Sequence, residues 1–197
     1  MTDAQDTSTA ATRRDYTSLA GVAVVVAVAS LVALGAFHWA RHQPLLAYPR
    51  AIAELRAMPA PVAMAVPVEG VSASRIADTF GAPRGRDRRH QGVDIFAPRG
   101  TPVRSATPGL VLSVRDQGLG GRQVWVLGPA HERHYYAHLD DWAPALRAGD
   151  RVRTGALLGT VGDTGNARGT PPHLHYGVYT ANGAIDPLPR LRATPVR

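Results

Sequence analysis

The 197-residue sequence contains no cysteine. Disulfide scaffolds, thiolate metal sites and cysteine nucleophiles are thereby excluded, and the cellular compartment is left undecided. Lysine is absent as well: all 22 basic residues are arginine, and the formal charge is +7. Such a balance suits nucleic acid, anionic lipid or an anionic polymer. The arginines are scattered rather than massed on one helix, and abundant Ala, Arg, Gly, Pro and Val match a high-GC coding bias. No aromatic–basic motif accompanies the charge, so nucleic acid is not an expected partner. There is no internal repeat, and beyond about residue 74 no long segment of 3.6-residue period.

The chain divides by texture. Residues 1–17, rich in Thr, Asp and Ala, read as a disordered cytoplasmic tail. Residues 18–40 hold an apolar run from Leu19 to Phe37, about 28 Å as helix and close to the hydrocarbon thickness. A cleavable signal has a shorter apolar region, and the small-residue exit Ala33-Leu34-Gly35 lies inside the run, so an uncleaved transmembrane signal anchor is expected. Trp39, Arg41 and His42 then form an interfacial anchor. Residues 41–73 read as a Pro-rich linker: a short helix over Ala51–Met58, then Pro59, Pro61 and Pro67 enforcing a semi-stiff extended spacer.

From 74 to 190, short runs rich in Val, Leu, Tyr and Trp alternate with Gly, Asp and Pro turns. The runs are Val93–Ala97, Gly109–Val114, Gln123–Leu127, His134–Leu139, Leu157–Val161 and His175–Tyr179. That spacing predicts a compact all-β domain, an antiparallel sheet of barrel or sandwich type, with residues 191–197 as a tail. About 120 residues suffice to bury one such core.

Three segments of this region concentrate imidazoles. In His90-Gln91-Gly92-Val93-Asp94, extended backbone turns His90, Gly92 and Asp94 one way and Val93 and Ile95 toward the core, and Gly92 leaves room for an ion. In His173-Leu174-His175-Tyr176, both histidines share a face opposite Leu174. In Tyr135-Tyr136-Ala137-His138-Leu139, His138 is expected opposite Ala137 and Leu139. Catalytic zinc takes three N/O protein ligands and keeps one position open. His90, Asp94 and one of His173 and His175 supply that number. Two imidazoles remain beside the ion, able to take a proton from water or to hydrogen-bond a tetrahedral oxygen.

Ordered matches extend from Asp78 to Pro187. They include Thr79-Phe80-Gly81, the HxGxD segment, Gly100-Thr101-Pro102-Val103-Arg104-Ser105-Ala106 with Gly109-Leu110-Val111, and Tyr136-Ala137-His138-Leu139. Further along come Gly149–Gly155, Gly162-Asp163-Thr164-Gly165, His173-Leu174-His175 and Asp186-Pro187. On these motifs the region resembles the lysostaphin-type, or LytM-domain, M23 zinc endopeptidases, which hydrolyse cell-wall peptides. The resemblance implies Zn2+ held by His90, Asp94 and His175, with His138 and His173 as the catalytic histidines. Zinc then polarises the scissile carbonyl and acidifies a water, and the two histidines share the base and oxyanion-stabilising roles. It also implies peptidoglycan peptides as substrate. The protein is accordingly expected in the inner membrane as a single-pass protein, with its catalytic domain in the periplasm or outside the cell.

The sequence departs from that pattern in two places. The loop Asn166–Pro172 is about two residues longer than the common form, at an expected wall of the groove. Arg84, Arg86, Arg88 and Arg89 occupy the stretch before His90 where some members place a tyrosine. His131-Glu132-Arg133-His134 is not a metalloprotease HExxH, because its histidines are three apart and a turn is expected there. Gly100–Val111 and Gly149–Gly162 are similar to the hammerheads of biotinyl and lipoyl carriers, but no lysine exists to acylate. A non-catalytic scaffold that binds wall or activates another hydrolase is the alternative from a different class. The five intact side chains argue against it.

Overall fold

The computed structural model describes residues 16–41 and 44–193. Of the expected tails, residues 1–15 and 194–197 lie outside the described part, as does His42 of the interfacial anchor; Tyr16 and Thr17 open a helix, and Leu191 is buried in the core. The chain forms two compact units, Met1–Ala47 and Tyr48–Arg197.

In the first unit, helix α1 spans Tyr16–Arg41. Among the described residues, its Gly21–His38 stretch is the one helix long and apolar enough to cross a membrane. From Val22 to Phe37 its Val, Leu and Phe side chains are more than half exposed.

The strands of the second unit pair antiparallel throughout. Helix α2 (Pro44–Ala57) leads through an extended stretch to a hairpin of β1 (Pro83–Arg84) and β2 (Arg88–Arg89). Then follow β3 (Val93–Phe96), β4 (Pro102–Arg104), β5 (Gly109–Gln117) and β6 (Gly121–Leu127). The chain continues with β7 (Arg133–Ala137), β8 (Leu139–Trp142), β9 (Arg151–Val152) and β10 (Leu157–Val161). It ends on β11 (His173–Thr180), β12 (Gly183–Ile185) and helix α3 (Leu188–Arg192). The larger sheet runs β12-β11-β7-β6-β5-β9, and β3 pairs β11; the smaller runs β4-β10-β8. One core joins them: Val103, Leu139, Leu158 and Val161 of the smaller sheet meet Val111, Val124, Tyr136 and Leu174 of the larger. The all-β expectation holds.

The Pro-rich stretch is extended, as its prolines require, but it is packed rather than free. Met64 and Val68 are buried in the core. Backbone bonds tie the stretch down, among them Met64 N–H to the Arg190 carbonyl (2.9 Å) and Arg104 N–H to the Pro67 carbonyl (2.8 Å). The reason is an alternation at Met64, Val66 and Val68 that turns successive apolar side chains inward. Before it, Ala51 and Leu55 of α2 close over Leu110 and Leu127 in a second apolar cluster.

Candidate metal centre and groove

The central strand of the site is β11. Leu174 and Tyr176 are fully buried on its core face, and His173 and His175 share the other. Antiparallel register sets Asp94 of β3 directly opposite His175 on one side and Ala137 of β7 opposite it on the other. Directly paired residues lie on one face, so Asp94 and His175 meet. His90 arrives from a segment that is not strand but is fixed by two backbone bonds, Gly81 N–H to its carbonyl (2.8 Å) and its own N–H to Ala82 (2.9 Å). Gly92 is indispensable to the approach: a Cβ there would lie 2.4 Å from the Tyr176 carbonyl oxygen and 2.9 Å from His175 Cε1. Its space is therefore taken up by β11 and the His175 ring, which refines the reading of room left for an ion.

Three donor atoms converge. His90 Nε2 lies 2.8 Å from His175 Nδ1 and 3.1 Å from Asp94 Oδ1, and His175 Nδ1 lies 3.2 Å from the same oxygen. Tetrahedral bonds of 2.0–2.1 Å separate ligands by about 3.3 Å, so the triangle fits one small cation within a few tenths of an ångström. His90 Nδ1 is 2.8 Å from the Thr79 carbonyl. Donating its proton there leaves Nε2 with a lone pair toward the other two donors. Lone pairs and a carboxylate turned on each other need a cation or a proton between them. Asp94 is largely buried, which pushes its carboxyl up, but the imidazoles of His175 and His90, when they carry a proton toward it, outweigh burial and hold it well below the ordinary range. Burial lowers His175, and Asp94 opposes that shift. Arg84 bonds the outer oxygen, Asp94 Oδ2.

His138 and His173 stand beside the triangle, their rings 5.1 Å apart and His138 5.9 Å from His175. Each anchors Nδ1 on a backbone carbonyl, Thr164 at 2.9 Å and Pro171 at 2.8 Å, and so turns Nε2 away from its anchor. Burial pushes His138 down to about 4, against the Thr164 carbonyl, which raises it. His138 is not mid-strand as expected. It has φ 64° and lies between β7, which pairs β11, and β8, which pairs β10. The chain changes sheets at this residue, which breaks the alternation of Tyr135–Leu139.

Around these side chains runs a groove of about 780 Å³, walled by the β1–β2 hairpin on one side and by Leu119, Asn166, Ala167 and Thr170 on another. The loop flagged by its length thus contributes a wall. Thr79, Thr164 and Pro171 orient the histidines through carbonyls. Two of them sit in matched motifs, yet nothing in side-chain identity announces a carbonyl acceptor. Arg99 pairs with Asp140 and with Asp163 (2.6 Å), tying the segment before Thr164 to β8. The HExxH exclusion stands: Glu132 is buried against Arg190 at 2.7 and 2.9 Å, and His134 is buried beside the Tyr176 hydroxyl at 2.8 Å.

A β body bearing an N/O donor triad open to a groove, with two uncommitted imidazoles beside it, is the arrangement of a hydrolytic metal centre. The profile of Peptidase family M23 matches residues 88–187, just over half the chain, and the chain belongs to that family. It is 39% identical over 126 residues to the L-Ala--D-Glu endopeptidase of Bacillus subtilis strain 168, covering 58% of this chain and 39% of that protein. It is 35% identical over 108 residues to the DD-carboxypeptidase/endopeptidase Mpg of Neisseria meningitidis, covering 55% and 24%. The chain thus spans well under half the length of these relatives. Among solved structures, the catalytic domain of lysostaphin from Staphylococcus simulans superposes with a TM-score of 0.54 at 30% identity, over 60% of this chain and 92% of that one. A zinc-containing peptidase from Vibrio cholerae superposes with a TM-score of 0.55 at 27% identity, over 70% and 41%.

Proposed function

We propose that this protein is a zinc-dependent endopeptidase that cuts peptides of bacterial peptidoglycan, with residues Tyr48–Arg197 as its catalytic body and α1 as a membrane tether holding that body on the outer side of the inner membrane. The observation that carries the reading is the donor triangle of His90, Asp94 and His175, with edges of 2.8, 3.1 and 3.2 Å. The similarity to cell-wall endopeptidases supports the substrate class, and the length and apolarity of α1 support the tether.

His90, Asp94 and His175 would hold the zinc. Bound there, the ion supplies Lewis acidity, polarising a carbonyl and making water acidic enough to attack near neutral pH. His138 and His173 handle the protons. With Nδ1 fixed on a carbonyl, the neutral Nε2 of each accepts a proton from the attacking water. The same atom, once protonated, donates to the oxygen of the tetrahedral centre or to the departing amine. Burial keeps His138 neutral at pH 7, where it serves as an acceptor.

The test separates ligands from proton handlers in the full chain, purified in detergent. His90→Ala and Asp94→Ala should lose zinc in metal analysis. His138→Ala and His173→Ala should keep it and release soluble peptides from sacculi about 10²–10⁴-fold more slowly. Zinc lost from His138→Ala would reassign that residue. Wild type that is zinc-loaded, binds sacculi and cuts nothing would establish a scaffold instead.

A further inference from the structure

We propose that the β1–β2 hairpin is a carboxylate-recognition element, so that the peptides taken by this groove carry a free carboxylate close to the scissile bond. The proposal rests on the peptidase reading and narrows its substrate class.

Residues 84–89 hold four arginines and one aspartate, Asp87, a local charge of 4 − 1 = +3. The hairpin is built onto the metal site: β2 runs directly into His90, whose backbone is fixed to Gly81 and Ala82. Arg84 and Arg88 are cross-strand partners. Like charges directly opposite one another are unfavourable in a sheet unless an anion lies between or beside them. Arg84 has one, the Asp94 carboxylate. Among the described residues, Arg86, Arg88 and Arg89 make no ion pair with any carboxylate, and neither does Asp87. Elsewhere in the body Arg99 is neutralised by two aspartates, Arg104 by Glu69, Arg151 by Glu54 and Arg190 by Glu132, while the other described arginines without an ion pair, Arg75, Arg115, Arg133, Arg153 and Arg168 among them, lie outside the groove lining.

Two of the unpaired hairpin arginines therefore sit where the groove is. Arg88 and Arg89 line it together with Asp87 and the Asp94-paired Arg84, while Leu119, Asn166, Ala167 and Thr170 of the lining carry no charge. An anionic ligand group is drawn to one side of the metal centre only, which fixes the direction in which a peptide lies. A guanidinium receives a carboxylate through two parallel N–H donors. An uncharged substrate such as an oligoglycine bridge offers nothing to this wall. The relatives include both an L-Ala--D-Glu endopeptidase and a glycyl-glycine endopeptidase, so the charge of the substrate is a real axis of difference among similar proteins.

The experiment compares teichoic-acid-free sacculi before and after carbodiimide conversion of their free carboxylates to amides, using the zinc-loaded full chain in detergent. Wild type should release peptides from untreated sacculi about tenfold faster than from amidated ones, the worth of one charge-assisted hydrogen bond. Added salt should shrink that ratio. The double variant Arg88→Gln/Arg89→Gln should bring it near parity, whereas Arg75→Gln/Arg153→Gln, with the same loss of charge at exposed positions outside the groove lining, should leave it unchanged. Equal release from both substrates by wild type, or a ratio that survives Arg88→Gln/Arg89→Gln, overturns the proposal while leaving the peptidase reading intact. If neither substrate is cut, sedimentation of zinc-loaded His138→Ala with the two preparations decides. Tighter binding to untreated sacculi keeps carboxylate recognition and removes the enzyme reading; equal binding removes both.

Discussion

Histidine is the residue on which this molecule's chemistry turns, and burial makes its imidazoles differ. His134 takes no part in the triangle. It is fully buried on β7, and burial, with Arg190 adding repulsion, pushes its pKa down to about 4. In the unfolded chain the same ring titrates near 6.5. Between these values the unfolded state binds a proton that the folded state refuses. The contribution of His134 to stability is thus full above pH 6.5, declines as pH falls to about 4, and is level below that. The gap corresponds to about 3 kcal/mol. Urea unfolding of the metal-free chain at pH 7 and pH 4 measures it. His134→Gln should lower stability at pH 7 through the lost contact with Tyr176, yet remove most of that acid-dependent decline. An unchanged pH dependence in the variant would assign the acid sensitivity to other groups.

At the scale of elements, the site is a product of register. Asp94 and His175 are cross-strand partners, and a slip of one residue would turn one of them into the core. Gly92 guards that register, because β3 must approach β11 with no Cβ in the way. Gly92→Ala should cost about 1–3 kcal/mol as an overpacked contact and weaken zinc binding about tenfold as Asp94 moves off His175. Thermal melts with and without chelator, together with competitive zinc titration, check both effects; unchanged values would mean that β3 shifts freely. This register also explains what is legible in the sequence. Period-two alternation is a property of extended backbone, so His173-Leu174-His175 declares its faces from sequence alone. His138 does not, because its position depends on which sheet the chain joins next. The carbonyls of Thr79, Thr164 and Pro171 leave no trace in side-chain identity. Met64, Val66 and Val68 do alternate, but the prolines around them read as spacer, since composition does not say what lies beneath an extended segment.

Over the whole molecule, the segment that reads as linker belongs to the β body. Met64 and Val68 lie in the same core as Leu174 and Tyr176, and the Tyr176 hydroxyl donates to Met64 Sδ at 3.7 Å. Tyr176 also follows His175 on β11, so the Pro-rich segment supports the strand that carries His175 from the face opposite the groove. Truncating one buried Met or Leu typically costs 2–5 kcal/mol, against a total stability of about 5–15 kcal/mol for a domain. A fragment starting at Ser74 discards Met64, Val68, Ala51 and Leu55 together, and its losses match or exceed that total. It should be unfolded or aggregated, while a fragment starting at Tyr48 melts cooperatively. Met64→Ala in the full chain is the milder probe, expected to lower stability by about 2–5 kcal/mol with zinc content retained. Circular dichroism melts of the two fragments decide the matter. Equal melting temperatures would show the segment before Ser74 to be dispensable, and the body would then begin where the motifs begin.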